Sequence, residues 1–177
     1  MPSYQTFTEA DAEFARAQLG RPMRGVAGVA YRCPGGHPGV LATYPRLPGG
    51  PPFPTTYYLI CPNAVLAASR LEASGIMAEM TARLTTDADL AVRYQTAHEA
   101  YLADREQLAR ESGDDVPEIA GFSAGGMPTR VKCLHALVAH ALASGPGVNP
   151  IGDETLALMG DFCPAVAPAS KERVSDD

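Results

Sequence analysis

Three cysteines of this chain, Cys33, Cys61 and Cys163, are each followed directly by proline, and a fourth, Cys133, lies in an apolar segment behind a glycine-rich loop. Four thiolates complete the shell of one zinc ion or anchor one iron–sulfur cluster. No two of them are spaced as a zinc-knuckle pair, and Cys33-Pro-Gly-Gly-His37 is the nearest substitute. Dispersed Cys-Pro pairs are closer to ferredoxin-type ligation. The expectation is a metal-binding protein with Cys33, Cys61, Cys133 and Cys163 as ligands of an iron–sulfur cluster, with zinc as the alternative. Inert cysteines packed as small hydrophobes are the competing reading.

Cys61 precedes Pro62 at a predicted helix start, where free N–H groups and the helix dipole favour a thiolate, so it is also a candidate reactive thiol. Cys133 and His140 share a helical face but stand about 10.5 Å apart along the axis, too far for one ion. His135 is turned away from Cys133, and a hydrogen-bonded core histidine is the favoured reading. Whether His37, His135 or His140 joins the site stays open. His98 and Glu99 fall on the expected solvent face of a long helix.

Gly121-Phe122-Ser123-Ala124-Gly125 matches the spacing of a nucleophile elbow. It lacks a preceding strand and the order of acid and histidine that a hydrolase triad needs. The same loop serves better as an anion site. Gly125 and Gly126 precede a helix expected to open at Pro128, with Arg130 and Lys132 in its first turns. This gives a second reading, an enzyme or sensor for a phosphorylated small molecule, in which Arg32, Arg46 and His140 could add charge. A metal-free interaction module using the proline-rich loops is the third.

The 177 residues, 46% hydrophobic, can bury a real core, which without tryptophan must rest on aliphatic side chains. A net charge of −6 argues against a nucleic-acid partner. The N-terminal residues show no basic-then-apolar leader, and no segment reads as a membrane span, so a cytoplasmic protein is expected. In a reducing compartment four thiols are not a disulfide framework.

The elements that must position these residues follow from local signals. Thr8 caps a helix over 7–19. The Gly/Pro-dense stretch that follows holds β-like runs at 26–32 and 40–44, with a stronger one at 55–61. Pro62 opens a helix to Ser74, a second covers 76–84, and Thr86 caps a third. In that third helix Leu90, Tyr94, Ala97, Tyr101 and Leu108 make one buried stripe. Further helices are expected over 128–144 and 153–159. The fold class is α+β: a small antiparallel sheet from the N-terminal third packed by four to six helices. A single domain is expected over 1–167, with a disordered tail over 168–177.

The stretches LGRPMRGVAGVAYRCP, PRLPGGPPFPTTYYLICP, SRLEASGIMAEMTARL and GMPTRVKCLHALVAHALASGPGVNPIGD carry a resemblance. The chain resembles an actinobacterial family catalogued as domain of unknown function number five-hundred-and-one. That resemblance implies no activity, cofactor or ligand set.

Overall fold

The computed structural model describes residues 3–47 and 49–163, so the expected tail over 168–177 lies outside the described residues. It contains α1 (Glu9–Leu19), β1 (Val26–Arg32), β2 (Pro38–Thr43), β3 (Tyr57–Leu59), α2 (Pro62–Ala73), α3 (Ile76–Thr86), α4 (Ala88–Ser112), α5 (Leu134–Ser144) and α6 (Pro150–Met159). The strands form one antiparallel sheet in the order β1-β2-β3. The fold is α+β, as expected. Among the described residues no helix is long and apolar enough to cross a membrane.

All six residues of β2 are buried, because the strand is covered on both faces. Strand alternation sends Leu41 to one face, with Val29, Ile60 and Ala15 of α1. Val40, Ala42, Tyr57 and Leu59 join the larger core of α2 to α6. A reciprocal capping box starts α1: Thr8 Oγ1 accepts from Asp11 N, and Asp11 Oδ2 accepts from Thr8 N. Arg32 of β1 then grips both oxygens of Asp11 at 2.8 Å. This bidentate pair holds the Asp11 carboxyl well below the usual carboxylate range and ties α1 to the sheet.

α4 buries the expected stripe of Leu90, Tyr94, Ala97, Tyr101 and Leu108. Its cap is Asp87, whose side chain accepts from Leu90 N at 2.9 Å, not Thr86. His98 is a second correction: it is buried and hydrogen-bonded through Nδ1 to Ser123 Oγ at 2.8 Å. The 121–125 loop folds back over that side of α4, which the periodicity of α4 alone cannot reveal. Tyr101 Oη accepts from the buried amide of Thr56 at 2.7 Å, fixing the entry to β3.

α5 packs against β3, α2 and α6. It begins at Leu134, six residues later than Pro128 suggests. The amides of Arg130 and Lys132 turn back to the carbonyls of Gly126 and Gly125, and Val131 N bonds Thr81 Oγ1. Residues 128–133 are therefore a loop. α6 meets α5 at Gly152, where a Cβ would press into the Leu137 carbonyl and lie 2.8 Å from Ala141 Cβ.

His140 of α5 is fully buried, stacked on Tyr57 at 5.8 Å and edge-on to Tyr101 at 5.2 Å. Asn149 Nδ2 donates to its Nδ1 at 3.1 Å, and burial lowers the imidazole to about 4.

Two outcomes follow for stability. Tyr101→Phe leaves the Thr56 amide unpartnered and is expected to cost about 1–3 kcal/mol, read as a lower urea midpoint at unchanged slope. His140 titrates near 6.5 when unfolded and about 4 when folded. Its contribution is full above 6.5 and is lost as pH falls toward 4, because only the unfolded chain binds the proton. The loss is on the order of 3 kcal/mol, and His98, also lowered by burial, adds in the same direction. Urea midpoints measured across that window should fall steeply for the wild type and flatten in His140→Gln; equal slopes in both would refute the assignment.

Candidate functional site

The N-terminus of α5 lies against the last turn of α2, and there three ligating side chains meet. Cys133 is the N-cap of α5 in extended conformation, yet its side chain caps nothing. The cap comes from α2: Glu72 Oε1 accepts from Leu134 N at 2.7 Å. The same oxygen is 3.1 Å from His135 Nδ1. On the far side of the ring, His135 Nε2 is 3.2 Å from Val65 O and 3.0 Å from Ser69 Oγ. Ser69 gives its own proton to Val65 O at 2.8 Å, so both neighbours accept from Nε2. Nε2 therefore carries a proton, and Nδ1 faces Glu72 and Cys133.

The electrostatics favour a positive charge at this point. A hydrogen bond to Cys133, reinforced by Glu72, lifts the His135 imidazole to about 9 against the opposing effect of burial. Among the described residues, Glu72, Cys133 and His135 are the group whose ligand atoms lie within 4.8 Å of one another. All three are half-buried. A cavity of about 580 Å³ opens beside Cys133 and His135, walled by β3 and α2.

The four expected cysteine ligands all sit at or near the ends of elements. Cys33 ends the first strand run and Cys61 is the N-cap of α2; both are buried. Cys163, just past α6, packs beside them. Burial pushes its thiol up to about 11, and the adjacent Cys33 and Cys61 push the same way. Cys33, Cys61 and Cys163 are neighbours, their thiols close enough to act on one another. Cys133 lies with Glu72 and His135. Cys61, 2% exposed, is out of reach as a reactive thiol. His37 is stacked on Phe14 with centroids 4.7 Å apart.

The expected anion loop loses its premise with the later start of α5. Gly125 O accepts from Lys132 N and Cys133 N, and the amides of Arg130, Val131 and Leu134 are engaged as well. Gly125 and Gly126, both with positive φ, allow this close approach; a Cβ on Gly126 would meet Arg130 O at 2.7 Å. Arg130 and Lys132 point outward. Arg32 is paired with Asp11, Arg46 with Asp114 and Glu118, and His140 is buried. Ser123 meets a histidine after all, but through Nδ1 of His98 and with its own proton turned toward Met127 O.

Sequence reasoning missed Glu72. It lies 62 positions before Leu134, within an ordinary amphipathic helix, and no local pattern marks it. His135 was legible as a hydrogen-bonded histidine, but its partners were not.

No curated protein and no solved structure matches the chain. A family model described as "Protein of unknown function (DUF501)" matches residues 29–157, which include every element from β2 to α5 as well as Glu72, Cys133 and His135. The chain belongs to that family.

Proposed function

We propose that the protein binds a zinc-class divalent metal ion through Glu72, Cys133 and His135, with a further coordination position turned to the adjacent cavity. The observation that carries this reading is the mutual approach of one carboxylate, one thiol and one imidazole nitrogen within 4.8 Å. A mixed S, N, O donor set suits zinc, whereas iron–sulfur clusters are held by cysteine thiolates. The surroundings support the same assignment. Nε2–H donates to Val65 O, the outer hydrogen bond that typically fixes the ring of a ligating histidine. The proton now shared between Nδ1 and Glu72 marks where a cation is favoured. Three protein ligands and one open position are the pattern of catalytic zinc, which activates water or polarises a carbonyl.

The test is elemental analysis and competitive zinc titration of the purified protein and three variants. Cys133→Ser and His135→Ala are expected to weaken zinc by at least about 100-fold. Glu72→Gln keeps an acceptor for Leu134 N, so it should fold normally and still lose about 10–100-fold. Stoichiometric zinc in the wild type, unchanged by all three substitutions, sinks the assignment.

A second reading rests on a separate feature, the position of Cys133 at the start of α5 beside His135. Cys133 is half-buried and lines the cavity, where a reagent can reach it beside a base. In metal-free protein, Cys133 is then expected to react with iodoacetamide before the buried Cys33 and Cys61, and His135→Asn should slow it about tenfold. Site-resolved mass spectrometry over time measures both. Fast alkylation in a protein that binds no zinc moves the function to thiol chemistry.

A further inference from the structure

The cavity beside the site has a lining whose chemistry narrows what it can hold. Its accessible apolar walls are Leu19 at the end of α1, Tyr58 of β3 and Val65 and Leu66 of α2, with the buried Tyr57, Leu59 and Ile60 behind them. Its ionisable groups beyond tyrosine are Cys133 and His135, both at one end, and no lysine or arginine lines it. Thr55, Ser69, Gln18 and the half-buried Tyr58 supply a few uncharged polar contacts. About 580 Å³ falls within the ordinary range for small-molecule sites, which bury most of a ligand against apolar walls.

Charge decides between ligand classes. A divalent ion held by a thiolate, a carboxylate and a neutral imidazole has no net charge left to attract an anion. Without the ion, the same three groups carry no net positive charge either. A carboxylate or phosphate entering this space would lose water with no cation to compensate it. An uncharged carbonyl loses much less, and its oxygen can take the open metal position or a hydrogen bond at the Cys133–His135 end.

We propose that this cavity binds an uncharged carbonyl compound with an apolar body, such as the amide or ester of a lipophilic acid, and that the carbonyl oxygen is directed to Cys133 and His135. The carbonyl contact rests on the metal reading above, whereas the apolar, uncharged character of the ligand rests on the lining. The apolar chain lies along Leu19, Tyr58 and Val65. Leu66, 51% exposed, stands at the rim. This class is the opposite of the phosphorylated ligand that the 123–132 loop suggested.

Calorimetric titration of the zinc- or cobalt-loaded full chain with decanamide, decanoate and decyl phosphate tests it. Decanamide is expected to bind at least roughly tenfold more tightly than either anion and to change the visible spectrum of the cobalt form. Leu66→Trp, which narrows the rim without touching Glu72, Cys133 or His135, should keep the cobalt spectrum and lose decanamide binding. Equal or tighter binding of decanoate or decyl phosphate overturns the proposal, as does the absence of decanamide binding or its full retention in Leu66→Trp. If the protein takes up no cobalt yet binds decanamide with loss in Leu66→Trp, the metal reading fails and the ligand class stands. If cobalt binds and decanamide does not, the metal reading stands and the ligand class fails.

Discussion

The N-terminus of α5 would present unpaired amides inside the protein if α2 did not lie beside it. Glu72 resolves that problem by accepting from Leu134 N, and in doing so it places a carboxylate against His135. The Cys133 thiol, a weak hydrogen-bond acceptor, caps no amide, so it remains available where a serine or aspartate would be turned to the backbone. The site is thus a by-product of how two helix ends are joined. The same carboxylate stabilises the fold locally and reinforces Cys133 in holding the imidazole protonated.

The sheet and the long helix hold this junction in place from two sides. β3 packs on α5 and leads directly through Cys61 into α2, so one short segment positions both walls of the site. Tyr101 of α4 fixes the start of that segment by accepting from Thr56 N. Arg105, also on α4, reaches the Pro54 and Ile119 carbonyls at 3.2 and 3.0 Å and braces the loops on either side. Buried Tyr57 links the two regions: its hydroxyl donates to Asp104 at 2.7 Å while its ring lies parallel to that of His140.

What could be read from the chain was whatever depends on neighbours in sequence. The Thr8 cap, Pro62 as a first helical residue and the Leu90-to-Leu108 stripe are all short-range signals, and each is found where it was expected. The strand-forming run before Cys61 also becomes β3. The errors have a common cause. Pro128 carries a helix-start signal, but the amides after it find partners in Gly125, Gly126 and Thr81, which are a turn away or on another helix. His98 looked solvent-facing until a loop folded over it. Glu72 was indistinguishable from any surface glutamate, because its role comes from helix packing alone. The cysteines stand out by residue type, yet sequence spacing could not tell which ones would become neighbours.

Gly152 has a bearing on how the cavity can behave. With no side chain between them, α5 and α6 touch backbone to backbone, so one cannot pivot away from β3 without carrying the other. The wall that bears Cys133 therefore acts as a fixed jaw, braced from behind by a second helix. On the opposite wall α2 packs against both helices as well, and only its outer face, where Leu66 is open to water, is left free to adjust. Selection by size would then be built into the scaffold itself, before any chemistry begins.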